Sequence, residues 1–157
     1  MEISPLAEHR QYASVIANWY FDEWASKVPN VTIEMVQSDI DLKASNTEIP
    51  CSLVAHENGE LVGTLELKIR EDKQHPEYEH WIGGVYVPTL KRGRGIAKAL
   101  ICKSKDTAID NDVSCLYLQC ESHNVGLYTG LDFRPLHQSD SNNIQTTIMC
   151  IDLFPKN

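Results

Sequence analysis

No run of apolar residues in this chain approaches the roughly 20 needed for a membrane-spanning helix. The opening MEISPLAEHR has neither the basic flank nor the apolar centre of a signal peptide. These two absences lead us to expect a cytoplasmic protein with no membrane partner. The five cysteines, Cys51, Cys102, Cys115, Cys120 and Cys150, are odd in number, scattered, and never spaced Cys-x-x-Cys. That argues against a disulfide or zinc framework and for small buried apolar residues. The six histidines show no ligand spacing, so no metal is expected. No Gly-Lys-Ser/Thr follows the glycines, which argues against a P-loop nucleotide site. There is also no internal repeat and no linker. The 157 residues, 42% hydrophobic and 23% charged, therefore read as one domain over 1–157 with a substantial core.

What the chain does have is segregated charge. Its net charge is -8, yet no Asp or Glu occurs between His80 and Lys105. That stretch holds Lys91, Arg92, Arg94, Lys98, Lys103 and Lys105, six of the fourteen basic residues. Val85, Tyr86 and Val87 have strand character, and Pro88 ends that run by withholding an N–H. The glycine-rich Arg92-Gly93-Arg94-Gly95 follows. Ala97, Leu100, Ile101, Ser104 and Ala108 then recur at helical spacing. Strand, loop and helix in this order form an anion trap: the first turn of a helix has unpaired N–H groups and partial positive charge, and glycines let a phosphate reach the backbone. The bland alternative is a helix with a solvated basic face. Nucleic acid is not expected as a partner, because the basic run is short, enters a packed helix and sits in an acidic chain.

The remaining segments supply the frame. Met1–Ile3 reads as a short strand, Glu8–Trp24 as a helix with an apolar face including Tyr12, Val15, Ile16, Trp19 and Tyr20, and Thr32–Ala44 as a second helix. The aromatic, acidic segment Trp19–Trp24 suits core filling, or one wall of a pocket for a cationic amine. Cys51–His56 and Leu61–Ile69 form a hairpin about Asn58-Gly59, followed by a polar connection, Arg70–Tyr78. Ser114–Cys120 alternates as a strand, with Asp112 in the turn before it. Asn124–Gly130 reads as a short helix before a return strand, Gln138–Asn143 as a polar loop, and Ile144–Phe154 as the last strand.

Two of these segments resemble one family. Arg92-Gly93-Arg94-Gly95-Ile96-Ala97 resembles the Arg/Gln-x-x-Gly-x-Gly/Ala acyl-CoA motif of the GNAT superfamily of N-acetyltransferases. Asn124 to Phe133 resembles its other signature, Asn-x-x-x-Tyr followed by Leu-Gly-Phe, with Tyr128 five residues before Phe133. Asp132 stands where glycine is usual; Asp tolerates a left-handed backbone better than most residues. The resemblance implies an α+β fold, a mixed, largely antiparallel sheet with helices on both faces and a splayed central parallel pair. It implies acetyl-CoA as cosubstrate and an amine acceptor; it leaves the oligomeric state open, a homodimer being one option since many relatives pair as dimers.

On that resemblance the backbone around Val85 and Val87 receives the pantetheine arm. The N–H groups of Gly93, Arg94, Gly95, Ile96 and Ala97 hold the pyrophosphate, Arg92 and Lys98 add charge, and Asn124 bonds the arm. Direct transfer needs a neutral amine and a proton for the departing thiolate. Tyr128 is the expected acid, since a phenol near pKa 10 is of the right order for a thiol near 8.5. Glu79 and His80, at the start of the central strand, are candidates for a base or water-holding group, with Glu66, Glu71 or a chain of waters as alternatives. The expected activity is acetyl transfer from acetyl-CoA to a primary amine of a small molecule or peptide. A non-catalytic acyl-CoA-binding module is the alternative.

Overall fold

The computed structural model describes residues 1–141 and 144–154. Seven strands, β1 (Glu2–Pro5), β2 (Cys51–Glu57), β3 (Glu60–Ile69), β4 (His80–Tyr86), β5 (Cys115–Cys120), β6 (Arg134–Ser141) and β7 (Ile144–Asp152), form one sheet in the order β1-β2-β3-β4-β5-β7-β6. Every neighbouring pair is antiparallel except β4 and β5. The four α-helices are α1 (Ala13–Glu23), α2 (Ile33–Lys43), α3 (Ile96–Asp110) and α4 (Val125–Thr129).

Alternation along the strands divides the core into two layers. Leu53 and Ala55 of β2 join the cluster that holds Ile96, Leu100 and Ile101 of α3 and Tyr128 of α4. Val54, between them, joins the cluster of Ile16, Ala17 and Tyr20 from α1 and Ile40 from α2. The two helix pairs thus cover opposite faces. Gly63 of β3 lets α3 come close, since a Cβ there would lie 2.8 Å from Ile96 Cγ2.

Local chemistry explains several boundaries. Asn58 and Gly59 both take positive φ, 52° and 76°, as a two-residue hairpin turn requires. The Thr32 hydroxyl accepts from the Met35 N–H at 3.2 Å and starts α2.

Three details differ from the sequence reading. The segment 138–141 is not loop but the end of β6, where Gln138, Ser139, Asp140 and Ser141 pair with Thr147, Thr146, Gln145 and Ile144. Polar residues with little strand preference are held there by a partner strand; Asn142 and Asn143 lie outside the described residues. The buried face of α1 is Ala13, Ile16, Ala17 and Tyr20, extended by Tyr12 in the preceding turn, whereas Val15 is exposed. Cys102 is also exposed, while Cys51, Cys120 and Cys150 are buried as expected.

Candidate active site

The loop between β4 and α3 has the shape its composition requires. Gly93 and Gly95 hold φ of +82° and +78°, and a Cβ on either would meet no atom within 4 Å, so the cradle is open. Gly95 precedes the helix, and no side chain caps it. The Ala99 N–H is bonded to the Gly95 carbonyl at 3.0 Å, while the N–H groups of Gly93, Arg94, Gly95, Ile96 and Ala97 reach no backbone carbonyl among the described residues. Unpaired N–H groups at the positive end of a helix, with no side chain over them, are the arrangement that suits an anion.

The basic side chains around it divide into engaged and free. Arg94 lies 2.8 Å from Glu57, and Lys91 is 2.7 Å from Glu60, so the β2–β3 hairpin supplies the carboxylates missing from the local sequence. Arg94 holds the Glu57 carboxyl below the ordinary carboxylate range. Arg92 Nε donates to the Val87 carbonyl at 2.9 Å, and its guanidinium lies 6.0 Å from the Tyr86 ring centre. Arg92 thus takes up one of the two acceptor positions of the Val87 carbonyl. Lys98 and Lys103 are exposed and have no ion-pair partner among the described residues.

β4 and β5 share one register pair, Trp81 opposite Tyr117, and then part. Toward the loop their facing backbones lack each other as partners, which leaves a slot open to a ligand's amides. α4 follows β5 beside it. Tyr128 is 9% exposed, packs edge-on against Phe133 at 6.1 Å, and has its pKa pushed up to about 12 by burial and then by Cys120. The side chain of Asn124, one turn earlier, has no hydrogen-bond partner among the described residues. Asp132 takes φ +75° after α4 and supplies the left-handed residue the turn needs. Lys105 Nζ donates to the Leu131 carbonyl at 2.5 Å and lies 5.4 Å from the Phe133 ring, tying α3 to the turn after α4.

On the face covered by α1 and α2, Gly83 and Gly84 make a bare patch of strand. A Cβ at 83 would lie 2.7 Å from Glu71 Oε1, and one at 84 would lie 2.6 Å from the Tyr20 hydroxyl. Beside this patch, Lys43 bonds Glu66 at 2.8 Å and Asp39 at 2.6 Å, while Lys68 stands 3.6 Å from Glu66 and 3.2 Å from Glu71. Glu66 is 2% exposed, whereas the Glu71 side chain retains 23% exposure. A neighbouring cavity of about 360 Å³ is lined by Asp39, Lys43, Pro50, Lys68, Ile69 and Glu71. Glu79 and His80 lie at the far end of β4 from the loop, with Glu79 bonded to Arg70 at 2.9 Å and 3.3 Å from His80 Nε2. The glycine loop follows the end of β4 that parts from β5, Asn124 and Tyr128 lie just before and on α4, which follows β5 in the chain, and Glu79 and His80 lie at the opposite end of β4. Sequence reasoning missed the Gly83–Gly84 patch as a feature; the paired glycines inside a strand were its available signal.

The acetyltransferase (GNAT) family model matches residues 14–133. No curated protein sequence matches the chain. Among solved structures, an aminoglycoside 6'-N-acetyltransferase complexed with coenzyme A superposes with a TM-score of 0.78 at 12% identity, covering 100% of this chain and 99% of that one. The yncA protein of Salmonella typhimurium, described with acetyl-CoA as its cofactor, gives 0.72 at 18% identity over 100% and 96%. A ribosomal-protein-alanine N-acetyltransferase from Brucella melitensis gives 0.72 at 16% identity over 97% and 99%. At these identities the structural likeness speaks for the fold. The family model spans most of the chain, including the glycine loop, the slot and Tyr128, and the chain belongs to the acetyltransferase (GNAT) family.

Proposed function

We propose that this protein is an N-acetyltransferase that moves an acetyl group from acetyl-CoA to a primary amine of a small molecule or peptide by direct transfer. The observation that carries this reading is an open glycine cradle at the N-terminus of α3 in line with the slot where β4 and β5 part after Trp81 and Tyr117. An anion site and a row of free backbone groups fit a pyrophosphate joined to an amide-bearing arm. When bound, acetyl-CoA supplies the thioester that donates the acyl group. The N–H groups of Gly93 to Ala97 hold the pyrophosphate, with Arg92 and Lys98 adding positive charge. The backbone at Val85 and the Val87 N–H pair with the arm, and Asn124 supplies an uncommitted side-chain amide.

Tyr128 is the residue that would donate to the departing sulfur in this reading, and burial keeps its phenol protonated through the neutral range. A phenol near 12 is about 3.5 units above a thiol near 8.5, so complete proton transfer is uphill by about 5 kcal/mol. A hydrogen bond from the phenol to the developing thiolate is the better description of its role. For the amine, the geometry favours Glu71 over Glu79 and His80. Glu71 lies against Gly83, is ion-paired to Lys68, and keeps an exposed edge toward the cavity, while Glu79 is occupied by Arg70. Its carboxylate draws in a cationic amine and accepts a hydrogen bond from it.

Isothermal titration with acetyl-CoA and CoA, repeated on Arg92→Ala and Gly95→Asp, tests the cofactor half. Saturable binding that weakens in both variants is expected, and absence of binding by the folded protein overturns the reading. Thiol release across a panel of primary amines tests the acyl acceptor half. Binding without thiol release from any amine would favour a non-catalytic acyl-CoA module.

A further inference from the structure

Between the pairs Thr64–Tyr86 and Glu66–Gly83, β3 spends one residue, Leu65, and β4 spends two, Gly84 and Val85. This is a β-bulge, a device that bends a strand and re-aims its groups. It falls on the segment of β4 that borders the slot. Gly84 takes φ +57°, and its bare Cα is where the Tyr20 side chain arrives. The Tyr20 hydroxyl donates to the Gly84 carbonyl at 2.6 Å. Tyr20 is itself 7% exposed and fixed by the second core, with Ile16 and Ala17 before it on α1 and Trp24 at 5.3 Å.

We propose that Tyr20 is a positioning residue: its hydroxyl locks the Gly84 peptide in the bulge and so aims the backbone of Val85 at the pantetheine arm of the acyl donor. This rests on the acetyl-CoA reading above. The physical step is the planarity of the peptide. In a trans amide the carbonyl and the following N–H point opposite ways, so a carbonyl held by Tyr20 fixes the Val85 N–H on the side away from α1. Without the clamp, a left-handed glycine in an interrupted ladder is free to rotate that peptide, and an arm reading Val85 would meet a moving partner. Tyr20 touches neither acetyl-CoA nor the reacting atoms; it acts through Gly84.

The test compares three probes by isothermal titration on the full chain: acetyl-CoA, CoA, and adenosine 3',5'-bisphosphate, which has phosphates but no pantetheine arm. Tyr20→Phe keeps the ring and its packing and removes only the donor. Acetyl-CoA and CoA are expected to bind about tenfold more weakly, the scale of one buried hydrogen bond, while the bisphosphate stays within about twofold. Gly84→Ala, whose methyl displaces the hydroxyl, is expected to give the same split by an independent route. Unchanged acetyl-CoA affinity in either folded variant overturns the proposal, as does a parallel loss for all three probes, which marks a merely structural role. Failure of the unaltered protein to bind any of the three instead overturns the acetyl-CoA reading and this proposal with it.

Discussion

Tyr128 is an acid held away from ionisation. Its pKa is pushed up to about 12 by burial, so the protonated form that can donate to sulfur persists as pH rises, and loss begins only as pH approaches that value. The thiol-release rate should therefore show no falling limb from Tyr128 between pH 6 and 10. Tyr128→Phe should lower kcat by about 100-fold, at the low end for a removed acid, with the Kd for acetyl-CoA unchanged. A falling limb near pH 8 that disappears in Tyr128→Phe would contradict the assignment. Two carboxylates form a matched pair of variants. Glu71→Gln is expected to reduce kcat/KM for the amine by at least about tenfold, and Glu79→Gln to leave it within twofold, because Glu79 bonds Arg70 and both are half exposed. Equal losses would return the base to the start of β4. At the residue scale, the left-handed backbone at Asp132 was legible from residue type and spacing alone. The position of Glu71 against Gly83 was not, since it depends on how a polar connection folds back over the sheet.

On the proposed reading, α3 is tuned for binding at some expense of stability. Its first N–H groups are unpaired and its N-terminal glycine brings no capping side chain, an arrangement that forgoes a cap's usual stabilisation of about 1 kcal/mol. Gly95→Asp should supply a negative charge and a side-chain acceptor where the helix dipole favours both. Asp is also among the residues least penalised at positive φ. The expected outcome is a Tm equal to or above that of the unaltered protein, together with a loss of CoA affinity of 100-fold or more, read by thermal unfolding and titration. If Gly95→Asp unfolds the protein, the loop is a folding element first. The strand-loop-helix was readable because each part is local, as was the Asn58-Gly59 hairpin. The bulge at Gly84 and the strand pairing at Gln138–Ser141 are products of register between segments, and neither follows from residue preference. The ion pairs of Lys91 and Arg94 with Glu60 and Glu57 escaped for the same reason, since the sequence showed a basic stretch without carboxylates only along the chain, not across the sheet.

Across the whole molecule, the layered sheet was readable as a class, while the way its layers are charged and pinned was not. Lys43 of α2 reaches the 2%-exposed Glu66 of β3, so the α1–α2 layer is fastened to the sheet by an ion pair as well as by Ile16, Ala17 and Ile40. Among the described residues, Lys43→Met leaves Glu66 only the longer contact to Lys68 at 3.6 Å, and should cost about 1–2 kcal/mol, a Tm fall of roughly 2–8 °C for a domain of this size. The same burial governs the response to pH. Cys51 and Cys150 are each 1% exposed, and burial pushes both thiols from 9.0 to about 11. Burial and then Glu66 raise the Tyr20 phenol well above its ordinary value. For Lys68, burial acts to lower the pKa, and the Glu66 and Glu71 carboxylates outweigh it, leaving a net rise. All four groups hold protons more tightly folded than unfolded. Their contribution is complete below the unfolded values and is lost as pH rises through the folded ones, beginning with the thiols near pH 9. Each thiol shift of two units corresponds to about 2.7 kcal/mol at most, so the pair alone can remove several kcal/mol between pH 9 and 11. Urea unfolding at pH 7.5, 9 and 10.5 should give a loss of about 1 kcal/mol between the first two and a further fall of at least about 2 kcal/mol to the third. Cys51→Ala combined with Cys150→Ala should reduce that fall, leaving the share of Cys115 and Cys120, whose thiols burial also raises. An undiminished fall in the double variant would shift the cause from Cys51 and Cys150 to the remaining raised groups, Cys115, Cys120, Tyr20 and Lys68, and a level profile to pH 10.5 would show that burial does not hold these protons.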